Sequence, residues 1–161
     1  MTEQSQAVTV SHPPAAVLRV VNPILGLLLR TPILGAARKQ LMVVSFNGRK
    51  AGRRYAVPLS AHQIDGALYA LTGAPWKQNF RDGAAAEVLR DGKPTTMHGE
   101  LIQDRAVVAD LYRRAAEAYG VKSAQRLIGL KFRDQRIPSL EEFTEAVEQN
   151  HLAAIRFTSA E

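Results

Sequence analysis

A series of short apolar runs, each closed by a turn signal, limits the folds that this chain can adopt. Between residues 41 and 103, the pairs Asp65-Gly66 and Asp91-Gly92 stand where hairpin turns are expected. Short strands at this close spacing predict an antiparallel sheet that closes on itself as a small β-barrel. The six predicted strands span residues 41–46, 55–63, 67–72, 85–90, 95–103 and 153–158.

Helices are predicted to follow the β-rich region, which makes the expected class mainly β within α+β. Asp104 suits an N-cap, and apolar residues at helical spacing over 107–115 predict a helix that ends near residue 119. Ser139 and Glu142 form a capping-box pattern that predicts a second helix, to about residue 149. The whole chain, residues 1–161, is predicted to be one domain.

The chain begins with two segments of different character. Residues 1–13 are polar and are predicted to be disordered. Residues 14–41 are apolar, and Asn22-Pro23 and Thr31-Pro32 mark helix restarts, so this segment is predicted to be helical. Its longest uncharged run has ten residues, which is too short to span a membrane.

Two interpretations of the segment 14–41 remain open. It can pack across a β core, or it can contact lipid as a basic and apolar interfacial element. No Lys or Arg precedes Arg19, so the N-terminus fits a signal peptide poorly. We therefore expect a cytoplasmic protein, with peripheral contact at the inner face of the membrane as a hypothesis.

The positive charge is concentrated in the first part of the chain. The 161 residues carry a formal net charge of +6, but residues 4–64 contain eight Lys or Arg and no acid. Such an asymmetry indicates an anionic partner: nucleic acid, an anionic membrane or a multiply charged cofactor. There is no cysteine, which excludes disulfides, thiolate catalysis and Cys-based zinc sites, and the four histidines show no metal-ligand spacing.

The most basic stretch lies between the first two predicted strands. Arg49, Lys50, Arg53 and Arg54 fall within six residues, beside two glycines. A loop of this kind can direct backbone N–H groups and cationic side chains toward a phosphate or a group of carboxylates. It is not a P-loop, because no Lys-Ser/Thr pair follows and the loop enters a strand. A solvated hairpin tip is the alternative interpretation.

Four motifs lie in order along residues 17–103. They are Arg-Val-Val-Asn-Pro at 19–23, Leu-Leu-Leu-Arg-Thr-Pro at 27–32, Asn-Gly-Arg-Lys-Ala-Gly-Arg-Arg-Tyr at 47–55, and Trp76 followed by Asn79 and Phe80. Over this range the sequence resembles the deazaflavin-dependent nitroreductase family. The resemblance implies a split β-barrel related to the FMN-binding pyridoxamine phosphate oxidase group, and the use of coenzyme F420, a phosphate-bearing deazaflavin with an oligoglutamate tail.

The resemblance also implies which residues bind the coenzyme. The phosphate end carries over to Arg49, Lys50 and Arg54, and the remaining cofactor-binding positions are Pro58, Thr72, Trp76 and Asn79. Only Gly-Ala-Pro separates Thr72 from Trp76, and a basic residue that the resemblance leads us to expect is missing from this loop.

The implied activity is hydride transfer from the reduced coenzyme to a hydrophobic acceptor such as a quinone or a nitro compound. The catalytic proton donor is not assigned; Thr72, Tyr112 and Tyr119 are the candidates, although tyrosines on amphipathic helices usually pack by the ring. Flavin mononucleotide (FMN) is an alternative cofactor, because the basic loop would accept its phosphate too.

Two other classes of function stay open. The barrel groove could hold a lipid or another hydrophobic ligand in a non-catalytic carrier. Nucleic-acid binding is disfavoured, because exposed aromatics interleaved with the basic residues are lacking. A metal site is not expected. Barrels of this relationship often pair, so a homodimer is considered, but no sequence feature here marks its seam.

Overall fold

The structure is a computed structural model that describes residues 8–10, 41–48, 53–128 and 130–159. The strands and α-helices are β1 Val8–Val10, β2 Leu41–Asn47, β3 Arg54–Ser60, β4 His62–Ile64, β5 Ala67–Thr72, β6 Ala84–Arg90, β7 Lys93–Ile102, α1 Arg105–Tyr119, α2 Val121–Ile128, β8 Leu130–Phe132, α3 Leu140–Asn150 and β9 Ala153–Ser159. A 3₁₀ helix, Pro75–Phe80, lies between β5 and β6.

The chain divides into two compact units that are built from alternating segments. The described residues of the helical unit are 8–10, 71–77, 102–128 and 130–154. Those of the sheet unit are 41–48, 53–70, 78–101 and 155–159. The prediction of one domain for the whole chain stays a prediction.

The main sheet contains seven strands in the order β3-β2-β6-β7-β9-β5-β4. β3 and β4 lie at opposite edges of this order, yet only Ala61 separates them along the chain. Because two successive peptide units span at most about 7.6 Å, the sheet has to curl until its two edges meet at this corner. The structure thus confirms a mostly β member of the α+β class with a curled antiparallel sheet.

The predicted number of six strands is wrong. The stretch predicted as one strand, 55–63, is interrupted at Ala61 and forms both β3 and β4, which occupy different edges of the sheet. The other five predicted strands correspond to β2, β5, β6, β7 and β9. A second sheet, of β1 and β8, was not predicted at all.

Cross-strand rows of apolar side chains fill one face of the sheet. Val44 of β2 pairs with Val57 of β3 and with Val88 of β6, and all three are buried. The ring of Phe80 contacts Phe46 and Phe157 at centroid distances of 5.3 and 6.0 Å. Edge-to-face contacts of this kind add to the stability gained from burial.

A glycine makes room for this aromatic cluster. A Cβ at Gly99 would lie 2.7 Å from Cδ1 and 2.8 Å from Cε1 of Phe80. Since real Cβ atoms do not approach other carbons so closely, the absence of a side chain at Gly99 lets β7 lie directly against the Phe80 ring.

The predicted helix caps are confirmed in the helical unit. Asp104 Oδ1 accepts hydrogen bonds from the backbone N–H groups of Ala106 and Val107, and α1 follows. The Ser139 side chain accepts from the Glu142 N–H, while the Glu142 carboxylate accepts from the Ser139 N–H, so the capping box of α3 is complete. Each cap satisfies helix-terminal donors that would otherwise lack partners.

The helical unit has its own aromatic core. The Phe143 ring lies 6.5 Å from the Tyr112 ring and 6.0 Å, edge-to-face, from the Phe132 ring. These rings join α1 and α3 to the short strand β8. The helix α2, which precedes β8, was not predicted.

The N-terminal predictions are corrected at one point. Val8 and Val10 pair with Phe132 and Leu130, so the prediction of disorder over 1–13 is wrong at residues 8–10. The predicted apolar helical segment, 14–41, lies outside the described residues, apart from Leu41, where β2 begins. Within the described part of the chain, none of the helices combines the length and the apolar character that crossing a membrane requires.

A buried histidine makes the stability of the sheet depend on pH. His62, in the edge strand β4, is 1 % exposed, and burial lowers its pKa to about 4. The unfolded chain binds this proton at the ordinary pKa near 6.5. The contribution of neutral His62 to the free energy of unfolding is therefore fully present above that value. It is lost as the pH falls toward 4, because the unfolded state takes up the proton first.

We expect acidification from pH 7 to 4.5 to destabilise the wild type by about 2 to 3 kcal/mol more than a His62→Gln variant. Urea unfolding at both pH values measures this difference. His98→Gln, at an exposed position of β7, is the matched control and should behave as the wild type. Equal losses in the wild type and in His62→Gln would show that another group is responsible.

Candidate functional site

The basic segment joins two strands that pair without interruption. The β2–β3 register runs from Leu41 opposite Ser60 to Asn47 opposite Arg54. Beyond this last pair, the Gly48 N–H donates to the Arg53 carbonyl at 2.7 Å. Arg49 and Lys50, the residues predicted to bind phosphate, lie outside the described residues, so their placement stays a prediction.

Aromatic packing supports this end of the hairpin. The Tyr55 ring stacks on Phe46 with a centroid distance of 5.7 Å. A Cβ at Gly48 would lie 2.7 Å from Tyr55 Cε2, so the ring also covers the Gly48 backbone. Tyr55 therefore stabilises the strand ends from which the basic segment extends.

The described cations of this hairpin have no carboxylate partner among the described residues. Arg53 and Arg54 are both exposed. Arg54 Nη1 donates to the side-chain oxygen of Asn47 at 3.5 Å, a long hydrogen bond to a neutral group. The Arg54 side chain is thus held only weakly by Asn47, and no carboxylate of the described residues neutralises its charge. This arrangement suits an anionic ligand.

Pro58 and Asn79, two further predicted cofactor-binding residues, belong to the sheet unit. Pro58 is half-buried in β3, opposite Val43. Because β3 is an edge strand, a residue without an N–H group can be accommodated there. Asn79 is half-buried in the 3₁₀ helix, where it has an interaction partner.

The predicted residues Thr72 and Trp76 lie in the segment 71–77 of the helical unit. Thr72 Oγ1 accepts a hydrogen bond from the Ala74 N–H at 3.0 Å, and this bond shapes the turn into the 3₁₀ helix. Gly73 is tightly enclosed, since a Cβ there would lie 2.9 Å from the Asn150 carbonyl oxygen. Trp76 is half-buried and has an interaction partner.

Lys77 is a residue that the sequence analysis missed. It is 6 % exposed, and its Nζ donates to the Gly73 carbonyl at 3.1 Å. Among the described residues, no carboxylate pairs with this amine, and burial lowers its pKa. A basic residue thus follows Trp76 directly, although the loop before Trp76 lacks one. The sequence shows that Lys77 follows Trp76, but it does not show that Lys77 is buried.

The candidate proton donors on α1 differ in accessibility. Tyr112 is 1 % exposed, and complete burial raises its pKa. Tyr119, the last residue of α1, is half-buried, and burial raises its pKa as well. Both phenols are therefore protonated near neutral pH. Of the two, only Tyr119 offers part of its side chain to solvent.

The described residues among the predicted cofactor-binding positions belong to two groups, one in each unit. Arg54 and Pro58 share β3, and Thr72 and Trp76 share the segment that also holds Lys77. Among the residues that the structure describes, no cluster of three or more His, Asp or Glu side chains is arranged to hold a metal ion.

Comparisons with known proteins give little further information. No family model matches the chain, and no curated protein matches it significantly. Among solved structures, the chain is similar to the crystal structure of the conserved hypothetical protein Rv2991 from Mycobacterium tuberculosis. The sequence identity is 12 %, the TM-score is 0.44, and the match covers 93 % of this chain and 87 % of that one.

We expect the free energy of unfolding of the wild type to rise with pH in the alkaline range by more than that of a Lys77→Met variant, because burial lowers the pKa of Lys77. The folded state gives up this proton more readily than the unfolded chain. Stability therefore rises as the pH increases from the lowered pKa toward the ordinary value near 10.4. Denaturant unfolding of both proteins between pH 7 and 10 measures the difference.

Lys122→Met is the matched control for this experiment, since Lys122 is exposed at the start of α2. Its unfolding free energy should follow that of the wild type across the same pH range. If Lys77→Met does so as well, the Lys77 amine has no lowered pKa in the folded protein.

Proposed function

We propose that the protein is an oxidoreductase that uses coenzyme F420 and transfers a hydride from the reduced coenzyme to a hydrophobic acceptor such as a quinone or a nitro compound. The observation that carries the proposal is the β2–β3 hairpin. Its described cations, Arg53 and Arg54, are exposed and have no carboxylate partner among the described residues. The resemblance at residues 47–55 and at Trp76 and Asn79 supports the same conclusion.

The state of these cations differs from that of several arginines in the helical unit. Arg113 is bound to Asp110 and Glu117, and Arg136 is bound to Glu142, at distances between 2.6 and 3.1 Å. In these ion pairs the carboxylates neutralise most of the guanidinium charge, so little of it remains to attract an anionic ligand. At the hairpin, by contrast, the hydrogen-bond partner of Arg54 among the described residues is a neutral amide, so a phosphate does not have to displace one of their carboxylates before it binds.

The described residues fit the anionic part of a phosphate-bearing deazaflavin. The exposed guanidinium groups of Arg53 and Arg54 match the phosphate and the glutamate carboxylates of the coenzyme. The coenzyme, when bound, supplies the hydride, and the protein supplies orientation and electrostatic stabilisation.

FMN is the alternative cofactor within the same proposal. Its phosphate would suit the basic segment equally well, so the choice between the two depends on the rest of the molecule. The oligoglutamate tail adds carboxylates that FMN does not have, and the eight cations with no acid over residues 4–64 favour the more highly charged coenzyme.

We expect Arg49→Ala and Lys50→Ala each to weaken binding of the oxidised deazaflavin at least tenfold. A charge-assisted hydrogen bond to phosphate contributes about 1.5 to 3 kcal/mol, and this corresponds to a factor of about ten or more in the dissociation constant. Fluorescence titration of the purified protein with the oxidised deazaflavin, and separately with FMN, measures these constants.

Arg105→Ala is the control variant, because Arg105 is an exposed arginine of the helical unit that pairs with Glu148. It should bind the coenzyme as the wild type does. The proposal fails if the wild type binds neither cofactor. If the Arg49 and Lys50 variants bind like the control, the basic hairpin is not the phosphate site. Oxidation of the reduced deazaflavin by a soluble quinone, with and without the protein, then tests the reaction itself.

A further inference from the structure

A cleft of about 720 Å³ lies in the sheet unit, away from the basic hairpin tip. It is bordered by the β4–β5 turn, the β6–β7 turn and the last residues of β9. Its volume falls within the range of small-molecule sites, and the mouth of a curled β-sheet is a common place for them. None of the described residues that were predicted to bind the cofactor lines this cleft.

The floor of the cleft is apolar. Leu68, Val88 and Phe157 are 5 %, 2 % and 2 % exposed, and half-buried Met97 lies beside them. Phe157 also contacts Phe80 in the aromatic cluster, so the floor is continuous with the core of the sheet unit. A ligand that enters the cleft therefore meets a rigid hydrocarbon surface.

The rim of the cleft is cationic. Arg90, Lys93 and Arg156 line it, together with one acid, Asp91, which has another interaction partner. Arg90 and Lys93 are cross-strand partners in β6 and β7, so their side chains project from adjacent positions of the sheet. Among the described residues, no carboxylate forms an ion pair with Arg90, Lys93 or Arg156.

A neutral side chain holds Arg90 in place. With the Gln63 amide oriented so that its oxygen faces Arg90, this oxygen accepts hydrogen bonds from Nη1 at 2.9 Å and from Nη2 at 3.1 Å. The amide fixes the guanidinium without neutralising it. The positive charge remains available to an anion, and the side chain loses little further entropy when the anion binds.

The cleft and the basic hairpin tip lie at opposite ends of β2. Arg90 pairs with Met42, near the start of β2, whereas Arg54 pairs with Asn47, at its end. The five residue steps from Met42 to Asn47 correspond to about 17 Å of strand. A ligand in the cleft would therefore not contact a phosphate that is bound beside Arg54.

We propose that this cleft binds an amphipathic carboxylate, a molecule with a hydrocarbon body and one carboxylate end such as a medium-chain fatty acid. The hydrocarbon body lies against Leu68, Val88 and Phe157. The carboxylate accepts hydrogen bonds from Arg90 and Lys93 at the rim. The planar guanidinium of Arg90 suits the two oxygens of a carboxylate, and the apolar floor excludes a ligand that is charged along its whole length.

Decanoate and 1-decanol are the probes, because they share the hydrocarbon chain and differ in the charged end. Isothermal titration calorimetry on the full chain, below the concentration at which decanoate forms micelles, should show that decanoate binds at least about tenfold more tightly than the alcohol. Arg90→Gln should weaken decanoate binding by about the same factor and leave 1-decanol binding unchanged. Lys93→Gln, at an exposed position, provides a second test if Arg90→Gln folds poorly.

Arg81→Gln is the matched control, since Arg81 is an exposed arginine of the sheet unit that does not line the cleft. It should bind decanoate like the wild type. Gln63→Leu keeps every charge but removes the amide that holds Arg90, so it should weaken binding by a smaller factor than Arg90→Gln.

The position of the ligand can be observed directly. The chain has three methionines, Met1, Met42 and Met97, so methyl NMR gives few signals, and Met97→Leu assigns the one in the cleft. Decanoate should shift the Met97 methyl signal. Absence of decanoate binding, equal affinity for the alcohol, unchanged affinity in both Arg90→Gln and Lys93→Gln, or binding without a Met97 shift would each overturn the proposal.

Discussion

The single residue between β3 and β4 determines the form of the sheet unit. These strands occupy the two edges of a seven-stranded sheet, and Ala61 alone connects them. The sheet is therefore curled by its own covalent chain, and not only by the twist that strands prefer. Curling gives the sheet a concave face on which side chains from distant strands meet. The Phe46, Phe80 and Phe157 rings cluster in this unit, and Gly99 leaves room for one of them.

Neutral amides accompany exposed or half-buried arginines at two places in the sheet unit. Asn47 lies beside Arg54 at one end of β2, and Gln63 lies beside Arg90 at the other end. An amide oxygen can orient a guanidinium while its full charge remains, whereas a carboxylate neutralises it. In the helical unit, Arg113 and Arg136 are instead paired with acids. The two arginines of the sheet unit thus keep their charge beside a neutral amide, whereas the two of the helical unit are neutralised by carboxylates.

The parts of the fold that depend on neighbouring residues were predictable from the sequence. The Asp65-Gly66 and Asp91-Gly92 turns lie where expected, with Asp65 and Asp91 at φ values of 52° and 53°. The caps at Asp104 and Ser139 also hold, because the relevant donors and acceptors are only two or three residues apart. Signals of this kind are read directly from the chain.

The features that depend on distant partners were not predictable. The sequence around Ala61 does not show whether this residue lies within one strand or at a corner between two. The corner arises because residues 54–60 and 62–64 pair with different strands of the sheet. The pairing of residues 8–10 with β8 joins segments more than a hundred residues apart. The burial of Lys77 depends on how the segment 71–77 is enclosed, and the cleft at Arg90 on the assembly of several strands. A single sequence contains no direct record of such contacts.

The alternation of segments between the two units has a consequence for how this protein could arise and be divided. The helical unit takes its residues from three separate stretches of the chain, and so does the sheet unit. No pair of cleavage points would release either unit as one continuous polypeptide. During synthesis, neither unit can be completed until the ribosome has passed residue 150, so the nascent chain acquires both at nearly the same time.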